Sequence, residues 1–187
     1  MRSIPAPPAL VRWTQTLEET SSLDGAVHTL EGPVRSLFAS GTRGAVLRGD
    51  WLGHALHPVL TDVVLGTWLS ANVLDVLGRG RWSEPARALI GTGLLAFAPT
   101  AWTGWAQWAE AGPKAQRVGV VHAVLNGSAM LAYAGSWTAR RRGHDRAGER
   151  LALAGSGILV VGGHLGGHLA AARQVSTHHP VFDTPEG

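Results

Sequence analysis

Residues 151–172 read LALAGSGILVVGGHLGGHLAAA, 22 positions without one Asp, Glu, Lys or Arg. At about 1.5 Å per residue, a helix of that length matches the roughly 30 Å hydrocarbon layer of a bilayer. Two more charge-free runs of the same length follow the same pattern, 88–109 and 118–139. A fourth apolar run, 57–78, carries only Asp62 and Asp75. A helix packed in a soluble core should alternate apolar and polar faces, and these runs do not. The expected fold is therefore an all-α integral membrane protein, a four-helix up-down-up-down bundle with spans at 57–78, 88–109, 118–139 and 151–172. The mean hydropathy of +0.07 conceals this, because it averages oily spans with polar connectors.

The connectors are short, so neighbouring spans should run antiparallel and both termini should share one side. Residues 1–50 form an extramembrane segment in this reading. Within it Leu23, Val27, Leu30, Val34 and Leu37 recur at three- and four-residue steps, which predicts an amphipathic, interfacial helix with an irregularity at Pro33. GTRGAVLRGDWLG (41–53) reads as a loop, and 176–187 as a polar tail carrying His178 and His179. Pro58 suits the first turn of a span, Pro99 predicts a kink, and Trp102, Trp105 and Trp108 resemble an interfacial aromatic belt. The N-terminus lacks the apolar core of a signal peptide, so the spans themselves are expected to direct insertion. Arg79, Arg81, Arg87, Arg140, Arg141, Arg142, Arg146 and Arg150 cluster on one side, against Arg43, Arg48, Lys114, Arg117 and Arg173 on the other. That bias favours the first side inside, the long N-terminal segment argues the opposite, and the orientation stays open.

Composition narrows the chemistry. With no cysteine among 187 residues, disulfides, thiolate clusters, covalently attached haem and thiol nucleophiles are excluded, leaving histidine and carboxylate as the strong metal ligands. A formal charge of +3 spread over short arginine clusters is no nucleic-acid signature. No Gly-x-Ser-x-Gly elbow or phosphate-binding glycine loop is present, and no catalytic residue is assigned.

Five of nine histidines fall at one end of the spans. Counted along alternating helices, His57, His122 and His168 lie at nearly the same depth, about 6 Å below the terminus-bearing surface. Asp62, Asn126 and His164 form a second polar layer one turn deeper. Ionisable groups inside a bilayer are costly and normally mark a functional path. One chemistry that suits the set is haem b held by two of His57, His122, His164 and His168, with His168 plus His122 or His57 the preferred pair. His54, Asp62 or Asn126 would then orient an imidazole, and the glycines at 162, 163, 166 and 167 would admit a flat macrocycle. A second is a divalent metal on His54, His57, Asp62, His164 and His168. A third is a cofactor-free accessory subunit, with the glycines as a helix-packing seam and the histidines bonded to neighbours. Asp75 is expected to meet Arg79 at the membrane surface, without a functional role.

SLDGAVHTLEGPVRSLF (22–38), LRGDWLGHALHPVLTDVVLGTWLSANVLDVLG (47–78), AQRVGVVHAVLNGSAMLAYAGSWTARRRG (115–143) and GGHLGGHL (162–169) together resemble the bacterial membrane family known as domain of unknown function 2231, over roughly residues 20–175. The family's recurrent polar positions match His54, His57, Asp62, His122, Asn126 and His168. His164, Gln107 and the stretch AAARQVSTHHP after the last span depart from its pattern. Some members are fused to a Rieske-type iron–sulfur domain, so the resemblance implies redox chemistry in a bacterial cytoplasmic membrane. A chain with no cysteine could not ligate such a cluster, so the expected partners are the lipid bilayer and a separate redox protein or larger membrane complex.

Overall fold

A computed structural model of the chain describes residues 6–175, so the tail expected at 176–187, with His178 and His179, lies outside the described residues. The described residues form an all-α structure with seven α-helices, where four spans and one N-terminal amphipathic helix were expected. Three short ones come first: α1 (Ala9–Glu19), α2 (Asp24–Val34) and α3 (Gly41–Arg48). Four long ones follow: α4 (His57–Gly78), α5 (Ser83–Trp108), α6 (Pro113–Arg141) and α7 (Asp145–Gly167), the last continued by a π-helical turn, His168–Ala172. Three stretches, His57–Gly78, Pro113–Arg141 and Asp145–Ala172, are long and apolar enough to cross a membrane.

The N-terminal third departs most from expectation. α1 forms ahead of the expected amphipathic helix, and α3 forms where a loop was expected. The amphipathic helix is real in α2, where Val27 and Val34 are buried, but Leu37 is 54% exposed. A π-helical turn over Arg35–Ala39 explains this, because its wider turn shifts the three-to-four-residue phase and swings Leu37 outward.

The boundaries of the long helices follow from local chemistry. Pro58 occupies the first turn of α4, where its missing N–H costs nothing. Arg79 and Gly80 both take left-handed backbone (φ 48° and 85°), which reverses the chain into α5. Gly143 (φ 76°) does the same between α6 and α7. α5 continues through Pro99 to Trp108 as one helix.

Side-chain contacts fix the packing order and direction. His57 at the start of α4 meets Thr100 near the end of α5, while Trp68 lower down bonds the Ile90 carbonyl. His122 near the start of α6 meets Gly162 late in α7, and Ser136 meets Gly148. Each long helix is thus antiparallel to its predecessor. The core centres on Trp68, fully buried and stacked on Tyr133 (centroids 4.1 Å apart) and Phe97 (6.0 Å).

Glycine makes the α6–α7 seam. A Cβ at Gly148 would lie 2.6 Å from Arg140, one at Gly155 3.0 Å from Tyr133, and one at Gly162 3.0 Å from Asn126. The two series, 148, 155, 162 and 140, 133, 126, step by seven in opposite directions, the repeat that keeps one helix face on its partner over several turns. Trp108 ends up buried, contrary to a membrane-surface role: α2 and its π-helical turn pack over it, and its Nε1 donates to Gln116 O at 2.9 Å. Trp102 stays exposed.

Replacing Gly155 by Val forces a branched side chain against the Tyr133 ring. We expect a loss of about 1–3 kcal/mol, seen as a lowered Tm in detergent. Gly157→Val, one turn-fraction away with nothing within 4 Å of its Cβ position, should leave Tm nearly unchanged and so controls for helix propensity.

Candidate functional site

The first turn of α4 carries His57 into contact with α5. Its Nδ1 lies 2.9 Å from the Thr100 carbonyl and 3.2 Å from Thr103 Oγ1. A carbonyl only accepts, so Nδ1 carries the proton and Nε2 keeps its lone pair. The ring rests on Gly104, where a Cβ would come within 2.9 Å of Cε1. His122 repeats this arrangement on the next helix pair. Its Nδ1 donates to the Gly162 carbonyl at 2.9 Å, and its ring rests on Gly166, again with a would-be Cβ at 2.9 Å from Cε1.

The two imidazoles are level. Gly119 of α6 abuts Trp108 of α5. One turn back along α5 is Gly104, under His57, and about one turn onward along antiparallel α6 is His122. Both rings are therefore seated on a neighbour's glycine, at one depth, each donating its Nδ1–H to a backbone carbonyl. Asn126, one turn below His122, donates its amide to His122 Nε2 at 3.0 Å.

Not every expected member joins them. His168 turns to the N-terminal segment: its Nε2 lies 2.7 Å from Glu18 Oε1. His164 stacks on Trp13 of α1 (centroids 5.8 Å, 26°), and its buried Nε2 has no partner among the described residues. His54 and Asp62 are exposed, so Asp62, though about a turn below His57, faces outward and away from Asn126; five residues beyond His57 is about 140° around the helix. No group of three His, Asp or Glu that could hold a metal forms among the described residues, and the five-residue set expected for a divalent ion does not converge. Gly163 and Gly167 face open space, whereas Gly162 and Gly166 accommodate Asn126 and His122.

The geometry also exposes residues that sequence reading passed over. Thr100, Thr103 and Gly104 form the seat of His57; the string TAWTG (100–104) holds all three one turn apart and was the available signal. Glu18 was less legible, since nothing local marks it. Its side chain is 2% exposed, and its carboxylate accepts from His168 and from two N–H groups of Arg173, while Arg117 donates to its carbonyl at 2.7 Å and pairs with Asp24 at 2.6 Å. α1 is thereby strapped across the histidine end. Asp75 likewise meets a partner other than the one expected: it pairs with Arg140 at 2.5 Å, both side chains almost fully buried, and not with Arg79.

As to ligand fit, a metal-binding imidazole typically donates its second N–H to a backbone carbonyl or carboxylate and offers the other nitrogen's lone pair. His57 meets both conditions, and His122 meets the first while its Nε2 accepts from the Asn126 amide, so these two residues would hold the group once that amide moves aside.

Fold and site together define an all-helical membrane protein with imidazoles gathered at one end of its long helices. More specifically, the chain belongs to the family of predicted membrane proteins DUF2231, whose match covers residues 53–179. The match begins at Gly53, so α1–α3, including the Glu18 strap, precede it. No curated protein and no solved structure matches the chain.

Burial raises the Glu18 carboxyl, but hydrogen bonds from Arg173 and His168 outweigh it and hold the group below its ordinary 4.5. A carboxylate with a depressed folded pKa stabilises the strap above 4.5 and loses that contribution as pH falls through the depressed value. Amide exchange in α1 should therefore stay protected at pH 7 and speed up on acidification below the ordinary carboxylate range. Glu18→Ala should accelerate it at pH 7 roughly tenfold or more, for a loss of about 1–3 kcal/mol. Unchanged exchange in that variant counts against the strap.

Proposed function

We propose that the chain crosses a bacterial cytoplasmic membrane four times, with α5 as the fourth span, and carries haem b on His57 and His122 as a one-electron transfer subunit. Three helices meet the length and apolarity of a span by themselves. α5, 26 residues long and free of charge from 88 to 109, packs between two of them. It is their natural companion, since an antiparallel chain that crosses from α4 to α6 by short turns must return through it.

One observation carries the haem reading: two level imidazoles on different helices, each with its Nδ1–H fixed by a backbone carbonyl, so that coordination would fall to Nε2, which in His122 requires the Asn126 amide to move aside. Haem bound there supplies reversible one-electron chemistry at the membrane. The chain's own residues hold the imidazoles in register: Thr100 and Gly162 orient them, and Gly104 and Gly166 give them space. α1, with Trp13 and Glu18, covers the end of the helices and keeps water from it. His168, engaged by Glu18, is replaced in the preferred pair by His57 with His122.

A second reading, a cofactor-free accessory subunit, draws on the Asn126 amide that occupies His122 Nε2. One experiment separates the two. Protein purified in mild detergent from haem-replete cells should show a reduced-minus-oxidised difference spectrum. His57→Ala and His122→Ala should each abolish it, with partial return on added imidazole if the fold is intact. His168→Ala and His54→Ala should retain it. A colourless wild-type preparation removes the haem reading and leaves the accessory one.

A further inference from the structure

The end of the protein opposite the histidines holds a cleft of about 400 Å³ where α4 turns into α5 and α6 turns into α7. Arg81, Arg87 and Arg140 line it, with Ser83, Glu84 and Asp145. Its carboxylates are already engaged: Asp145 accepts from Ser83 Oγ at 2.5 Å and Glu84 from Arg87 at 3.2 Å. The guanidinium groups are not used up. Arg140, 4% exposed, has five N–H donors and gives one each to Ser136, Ser83 and Asp75, so two have no protein partner among the described residues. Arg81 donates only through Nε, to Gly78 O at 3.4 Å, and its terminal amino groups have no protein partner among the described residues. A cleft open to one side and lined by spare guanidinium N–H groups suits a multidentate oxyanion such as phosphate.

The surroundings indicate where that phosphate comes from. On α4, the helix that runs into the cleft, Val73, Val76 and Leu77 are 54–65% exposed. Exposed Trp82 borders the same end, and Arg141 lies over the Trp137 ring at 4.8 Å. Apolar wall, aromatic rim and basic cleft follow one another in the order of acyl chain, interface and headgroup. We propose that this cleft binds the phosphate of an anionic glycerophospholipid, with Arg81 and Arg87 as its outer clamp, Arg140 as its inner wall, and the acyl chains laid along Val73, Val76 and Leu77. The site does not depend on what the histidines hold.

Lipid retention by the full chain in detergent, measured by native mass spectrometry with phosphatidylglycerol, phosphatidylcholine and inorganic phosphate as probes, tests this. Phosphatidylcholine carries the same phosphate but sets its choline cation against Arg81 and Arg87, so the net-anionic phosphatidylglycerol should be kept roughly ten- to thirtyfold over it. Arg81→Gln with Arg87→Gln, both outside the core, should bring that ratio to near one, and Arg142→Gln on the same end but outside the cleft should preserve it. Equal retention of the two lipids, or a preference that survives the double variant, overturns the site. Equal loss in Arg142→Gln reduces it to diffuse surface charge. Displacement of phosphatidylglycerol by an equal concentration of inorganic phosphate makes it a free-anion site and overturns the lipid assignment.

Discussion

The rest of the structure depends on the close approach of α7 to α6. Gly148, Gly155, Gly162 and Gly166 present bare backbone to α6, and into that space go Arg140, Tyr133, Asn126 and His122. In an apolar solvent, helices gain nothing from hiding oily side chains from one another, so small residues and interhelical hydrogen bonds must hold them. This seam supplies both. Each glycine admits one polar side chain, and the α7 backbone accepts directly from two α6 side chains, His122 at Gly162 O and Ser136 at Gly148 O. Packing and polar chemistry are the same feature here.

That arrangement sorts the buried polar groups into three levels. At one end stand His57 and His122, satisfied by backbone carbonyls. In the middle, Asn72 donates to the Tyr133 hydroxyl at 2.7 Å and to Ser156, while Trp68 and Phe97 seal the level with stacked rings. At the other end, Asp75 and Arg140 neutralise each other beside Ser83 and Ser136. An unpaired charge in hydrocarbon costs far more than a paired one, so Asp75 on α4 and Arg140 on α6 are mutually required, and they tie two helices that are not neighbours in sequence. The middle level separates the histidine end from the arginine end with fully buried aromatic rings. The two ends can therefore serve unrelated tasks.

The N-terminal third adds a cover to this frame. Trp13 stacks on His164 and Glu18 reaches His168 and Arg173, so a segment before the family's matched region closes the histidine end from outside. Its hold is electrostatic and aromatic, and it joins the first helix to the last turn of the last one.

How much of this could be read beforehand follows from the range of each interaction. Charge-free runs and flanking prolines and glycines are local, so α4 was legible to the residue at 57–78, while α5, α6 and α7 begin five or six residues before their charge-free runs because helix continues through charged residues outside the apolar stretch. The depth of a histidine along a helix is also arithmetic, so the level meeting of His57 and His122 was legible. Which way each ring turns was not. His168 and Asp62 share that depth or the turn below it, yet Glu18 claims the first and helix phase turns the second outward, and only the packed neighbours decide such matters. The same holds for Leu37, moved outward by a π-helical turn, and for Asp75, whose partner is 65 residues away and not four. Sequence alone determined an oily helical protein with imidazoles at one end, because hydropathy and helical rise are properties of a single segment. Tertiary structure decided which imidazoles stay available, because a proton goes to whichever acceptor another helix brings within reach.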